Sequence, residues 1–381
     1  MKKGMKKWLA MAMAATMMFA TVLTGCGEEK APAEDPQAAV QEEEASEEKP
    51  AEEEKKEETE EKPAEEAKPE AAVPGESEDK TADGAISVVM LKGPTALGAL
   101  DLMDKNEKGE TENHYEIALA GAPDEVVAKV VSGEVDIAAV PTNLASVLYN
   151  KTKGNVQMAA INTLGVLNIL EVGDTIHSVE DLRGKTIVTS GQGATPEYAL
   201  NMILTKNGLT PGTDVEVVYK TEHSEIPPML ASGEATIAML PHPFATAVLM
   251  KNDKVRIALD VTEEWDKAVS GESAITTGCV IVQKKFAEEN KEALDKFLTE
   301  YSASITEVNS EAGLEKAAEL AEKYDIIKKP IAQKAIPKCN IVFVEGDEMQ
   351  KMSDGFLKVL FDANPKSVGG TLPDENFYYK R

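Results

Sequence analysis

Short apolar runs and polar breaks follow one another in a fixed order from about residue 85. Ile86–Leu91 clusters β-branched residues, and Lys92-Gly93-Pro94 interrupts it. Thr95 then caps a predicted helix whose apolar residues Leu97, Leu100 and Met103 recur at helical spacing. Residues 115–119 read as a second strand, 124–132 as a short helix, 135–140 as a third, fully apolar strand, and 144–150 as a helix. Near-continuous apolar strands alternating with helices predict a parallel sheet covered on both faces. The same order returns one hundred residues later, with strands at 186–189, 215–219 and 236–240 and helices at 195–207, 226–232 and 245–251. Residues 156–172 are long enough to finish the first unit and cross to the second. A strand at 255–260 follows, and 277–282 reads as a return crossing. The amphipathic stretches 286–308, 312–323 and 349–361 are read as a helical layer, without strands of its own, that covers the first sheet.

The repeat is visible in the residues themselves. Laid without gaps, 88–151 and 188–251 share 15 identities in 64 positions, including Gly93/Gly193, Thr95/Thr195, Ser132-Gly133-Glu134/Ser232-Gly233-Glu234, Ile137-Ala138/Ile237-Ala238 and Pro141/Pro241. The period is too long for a solenoid unit. It predicts an α/β fold of two similar lobes with mainly parallel sheets flanked by helices, joined by two crossing segments. Lobe one is assigned 85–165 and 278–381, lobe two 166–277, with hinges near 162–166 and 276–278.

The N-terminal part follows a different logic. Lys2, Lys3, Lys6 and Lys7 precede an apolar run from Trp8 to Val22, too short for a membrane span, which ends in Leu23-Thr24-Gly25-Cys26. Residues 1–25 therefore read as a signal peptide. Small residues before a cysteine resemble a bacterial lipobox, which implies cleavage before Cys26 and acylation there. Residues 28–80 hold 22 Asp and Glu against 7 Lys and no aromatic residue. Such a segment buries too little surface to offset its chain entropy, so 26–84 reads as lipidated cysteine plus extended acidic tether. With the leader lysines and the tether set aside, the overall charge of −27 leaves −16 for the folded part. That sign opposes nucleic acid as partner. Cys279 and Cys339 are read as buried free thiols, with a disulfide as the alternative, and no Cys/His spacing suits a metal.

Ligands of open parallel sheets bind beyond the carboxyl ends of the strands, where loops lead into helix N-termini. The repeat points to four loops there, 92–95, 141–143, 192–195 and 241–243. Their candidate ligand-binding residues are Lys92, Thr95, Asn143, Gln192, Thr195 and His242, with Lys92 the one permanent cation. His242 is held between Pro241 and Pro243. His114, His177 and His223 fall in polar turn contexts and read as surface residues. Trp265 reads as a packing residue. Gly191-Gln192-Gly193 fails as a dinucleotide fingerprint because Pro196 follows, and no phosphate-loop lysine is present. No nucleophile–base set emerges, since neither a histidine nor an acid is placed beside Ser190 by spacing.

The segments Leu91-Lys92-Gly93-Pro94-Thr95-Ala96-Leu97-Gly98, Ser132-Gly133-Glu134-Val135-Asp136-Ile137-Ala138 and Asp181-Leu182-Arg183-Gly184-Lys185-Thr186-Ile187 resemble the substrate-binding lipoproteins of bacterial ABC importers. They are most similar to the branch that binds nitrate, sulfonates, taurine and a thiamine-precursor pyrimidine, with the type II periplasmic-binding fold. The resemblance spans about 85–365. It implies a monomer, anchored extracytoplasmically, that closes on a small polar or anionic solute and delivers it to a permease and its ATPase, with no cofactor and no catalysis. A ligand-sensing lipoprotein feeding a membrane receptor, or an enzyme on the same fold, are the alternatives.

Overall fold

In the computed structural model, which describes residues 84–270 and 273–381, the chain builds two sheets. The signal peptide, Cys26 and nearly all of the acidic tether lie outside the described residues. The strands are β1 Ile86–Leu91, β2 Tyr115–Ala120, β3 Ile137–Pro141, β4 Val156–Leu164, β5 Leu167–Val172, β6 Thr186–Ser190, β7 Glu216–Lys220, β8 Ile237–Pro241, β9 Val255–Asp260, β10 Thr276–Gln283 and β11 Ile341–Val344. The helices are α1 Pro94–Leu97, α2 Leu100–Glu107, α3 Pro123–Ser132, α4 Thr142–Lys151, α5 Thr195–Lys206, α6 Ile226–Ser232, α7 Phe244–Lys251, α8 Val261–Ala268, α9 Lys284–Glu289, α10 Lys291–Asn309, α11 Leu314–Lys323, α12 Lys329–Ala335 and α13 Gly346–Ala363. None of these helices is long and apolar enough to cross a membrane.

The first sheet runs β11-β4-β10-β3-β1-β2 and the second β7-β6-β8-β5-β9. Read from the β2 and β7 edges, the two orders are the same. Three parallel strands come first, then a strand arriving from the other half of the chain, then one returning to its own. Both guests, β10 and β5, pair antiparallel with their neighbours. The sheets are therefore mixed, and the parallel reading holds only for the repeated βαβ units. The crossover helices that parallel pairing demands are present there. At the guest strands the chain enters from the opposite lobe and reverses the direction.

The repeated glycines, and charged residues of two of the family-like segments, serve the scaffold. Gly133 and Gly233 end α3 and α6 in the left-handed conformation, at φ 74° and 79°, where a Cβ is unfavourable. Asp136 accepts bonds from the Ser87 amide at 2.8 Å and the Ser87 hydroxyl at 2.6 Å, tying the start of β3 to β1. Asp181 caps the turn before β6, accepting from the His177 and Ser178 amides, both at 2.9 Å. Arg183 pairs with Asp214 and donates to Gly208 O at 3.1 Å.

Three local expectations differ. Thr95 lies inside α1, not at its cap, and its hydroxyl donates back to Leu91 O at 2.7 Å. The stretch 286–308 is two helices, broken at Asn290. The C-terminal layer does contain a strand, β11, paired with β4 at the sheet edge.

One hydrophobic core runs through both lobes, joining Ile161 and Ile281 of the first sheet to Leu167, Ile169 and Trp265 of the second half and to Phe356 and Leu360 on α13. Trp265 is fully buried, donates Nε1–H to Ser273 O at 2.9 Å and packs 5.4 Å from Phe356. It is a packing residue. Cys279 and Cys339 are free and buried, and burial pushes both thiols up.

Candidate functional site

The carboxyl ends of β1, β3, β6 and β8 face each other across the lobes. Between them lies a cavity of about 30 Å³, lined by Leu91, Lys92, Pro94, Thr95, Pro141 and Thr277 on the first side and Leu167, Pro196, His223 and Pro241 on the second. That is room for roughly two water molecules. The lobes are shut.

Each loop delivers its residues for a local reason. Lys92 follows β1, and its ammonium lies 3.5 Å from the carboxylate of Asp325, which is almost fully exposed. The Thr95 backbone is held from below: its carbonyl accepts from Asn162 Nδ2 at 3.3 Å, and Asn162 also donates to the Tyr301 hydroxyl at 3.0 Å. Four prolines from four segments form much of the wall, so the wall is stiff and lacks four backbone donors.

The six candidates separate into groups. Lys92 and Thr95 line the cavity. Asn143 and Thr195 are buried and engage each other: Thr195 Oγ1 donates to Asn143 Oδ1 at 3.2 Å, while Asn143 Nδ2 donates to Gly193 O at 3.1 Å and Ser367 O at 3.0 Å. Both tie α4 of one lobe to the start of α5 in the other and do not line the cavity. Gln192 is exposed. His242 is buried with Nδ1 2.7 Å from Thr246 Oγ1, and it too is absent from the wall. Burial, helped by the charge of Lys338 and opposed by Asp260, takes its pKa down to about 4.

Two wall residues escaped sequence reasoning. His114 and His177 are exposed, but His223 is half-buried. It follows β7, forms a hydrogen bond through Nδ1 with Ser190 Oγ, and lies over Phe244 at 5.4 Å between ring centroids. Burial lowers its pKa to about 4, so it is neutral at pH 7. Ser190 thus has a histidine partner, 33 residues away in sequence, and no local spacing announces it. Thr277 is the other, a buried hydroxyl on β10 with no hydrogen-bond partner among the described residues.

The sequence model of the family described as ABC transporter, phosphonate, periplasmic substrate-binding protein matches residues 108–326, more than half of the chain. The chain belongs to this family. It is the substrate-binding component of an ABC importer, and the expectation drawn from the three segments is borne out at that level. Members of the phosphonate family are binding proteins of transporters rather than enzymes. No curated protein matches the chain. Solved structures do. An ABC transporter protein from Parabacteroides distasonis is 23% identical over 78% of this chain and 100% of its own, with a TM-score of 0.64. The aliphatic sulphonate binding protein SsuA of Escherichia coli is 15% identical over 78% and 92%, at 0.61. The alkanesulfonate-binding SsuA of Xanthomonas axonopodis pv. citri, bound to MOPS, is 12% identical over 76% and 94%, at 0.60. At these identities the likeness establishes the two-lobe fold.

Proposed function

We propose that the chain captures a small organic acid with a phosphonate or sulfonate head between its lobes, as a monomer anchored through Cys26 on the extracytoplasmic face. The observation that carries this reading is Lys92, the only permanent cation in the wall of the interlobe cavity. Its partner Asp325 sits in water, where an ion pair is worth little, so an incoming anion competes with it at small cost. One cation in an otherwise neutral wall suits one negative charge, because a second charge buried without a partner is expensive. The phosphonate family model and the sulfonate-binding relatives of the same fold point to the same head-group chemistry. The lipobox and acidic segment supply the anchor and the spacer.

Calorimetric titration with methylphosphonate and methanesulfonate tests the acid site. Wild type binds at least one of them, and Lys92→Met loses roughly ten- to a hundredfold in affinity, the worth of one charge-assisted hydrogen bond. Equal affinity in Lys92→Met overturns the reading. Mass spectrometry of the mature N-terminus, with Cys26→Ala as the released control, tests the anchor.

A further inference from the structure

The cavity carries two polar groups with bonding capacity to spare, one from each lobe. Thr277 stands where the chain re-enters the first sheet. Its buried hydroxyl has no hydrogen-bond partner among the described residues, an unfavourable state, and it forms part of the wall. His223 stands on the opposite wall. Its ring is fixed twice, by Ser190 at Nδ1 and by Phe244 against its face. Among the described residues its Nε2 has no hydrogen-bond partner.

We propose that Thr277 and His223 are the specificity-determining contacts to the acid head, and that Ser190 positions His223. The inference rests on the reading of the cavity as the acid site. A hydroxyl donates and accepts. A neutral imidazole offers one donor or one acceptor at Nε2, according to which way the Ser190 hydroxyl turns. Together with Lys92 they make three polar groups, which match a tetrahedral head with three oxygens. A sulfonate accepts at all three. A singly ionised phosphonate accepts at two and donates from its P–OH. A planar carboxylate accepts mainly in its own plane, so three groups set around a tetrahedral head do not all reach it with good geometry. The trio therefore selects against carboxylates by the cost of the unmet group.

The experiment is calorimetric titration of the whole chain with methylphosphonate, methanesulfonate and acetate. Wild type prefers a three-oxygen head to acetate by tenfold or more. Thr277→Val and His223→Phe, which keep the shape and remove the polar atoms, each lose tenfold or more for the preferred head and erase the preference. Thr277→Ser retains binding. Ser190→Ala weakens binding and Ser190→Thr restores it. The ¹⁵N resonances of the His223 ring shift when the preferred head is added to wild type. If no probe binds wild type, the acid-site reading itself fails. If probes bind and depend on Lys92, yet Thr277→Val and His223→Phe bind as wild type does or acetate is preferred, this inference is overturned and the acid site stands.

Discussion

At the scale of single residues, burial has opposite consequences for the cations and the histidines. Lys92 keeps one side in water and stays available to an anion. His242 is sealed in and held neutral, with its pKa near 4 against about 6.5 in an unfolded chain. The sign of the pH effect follows. Below pH 6.5 the unfolded chain takes up a proton that the folded chain refuses, so stability falls as pH drops towards 4. Below 4 both forms are protonated and this contribution levels off. The difference in pKa corresponds to about 3 kcal/mol from this one residue. Thermal melts at pH 7.0, 5.5 and 4.5 check it. Wild type loses stability across that range, and His242→Gln flattens the loss. An unchanged pH profile in His242→Gln contradicts the assignment.

At the scale of elements, the crossings between lobes are tighter than their sequence suggests. Gly165 joins β4 to β5, and a Cβ there would fall 2.2 Å from Thr262 Oγ1 on α8. Gly165→Ala therefore forces the crossing or α8 to move, and overpacking of this kind costs about 1–3 kcal/mol. The melting temperature falls by several degrees, and Thr262→Ala in the same chain recovers most of it. Independent, additive losses in the double mutant would refute the contact. The repeated βαβ units were legible in the sequence because their signals are local: apolar strands, Gly133 and Gly233 at helix ends, prolines at the ends of β3 and β8. The guest strands were not, because whether a strand pairs parallel or antiparallel depends on which lobe it enters from. The second and third family segments read as ligand markers would mislead. Asp136 and Asp181 satisfy backbone amides, and Arg183 braces a turn. The repeat found the loops around the cavity and the cation Lys92, whereas His223 and Thr277 arrive from β7 and β10, which only the folded sheets bring alongside.

At the scale of the whole molecule, the shut cavity and the bonds around it describe one device. If this cavity takes the solute, as proposed, the lobes must part first, because about 30 Å³ excludes even a small acid. What holds the lobes together without solute is then a term in every binding constant. Asn143 is central to that hold, with two hydrogen bonds to the start of α5 in the other lobe, at Gly193 O and Thr195 Oγ1, and a third to Ser367 O within its own lobe. The packing of α12 against α7, the approach of Phe244 to Gly93 and the hydrophobic core shared by both lobes add to it. Asn143→Ala leaves the Gly193 carbonyl and the Thr195 hydroxyl without their partner across the lobes, a loss of about 1–3 kcal/mol. The closed state loses that much against the open one. In small-angle scattering the solute-free variant has a larger radius of gyration than wild type and returns to the wild-type value with saturating solute. Its affinity falls only by the part of that loss that the solute-free protein escapes by opening, roughly tenfold for each 1.4 kcal/mol. Identical scattering from the two solute-free proteins would show that Asn143 only decorates an interface held by other contacts. The closing energy would then have to come from the packing of α12 against α7 and from the core shared by both lobes.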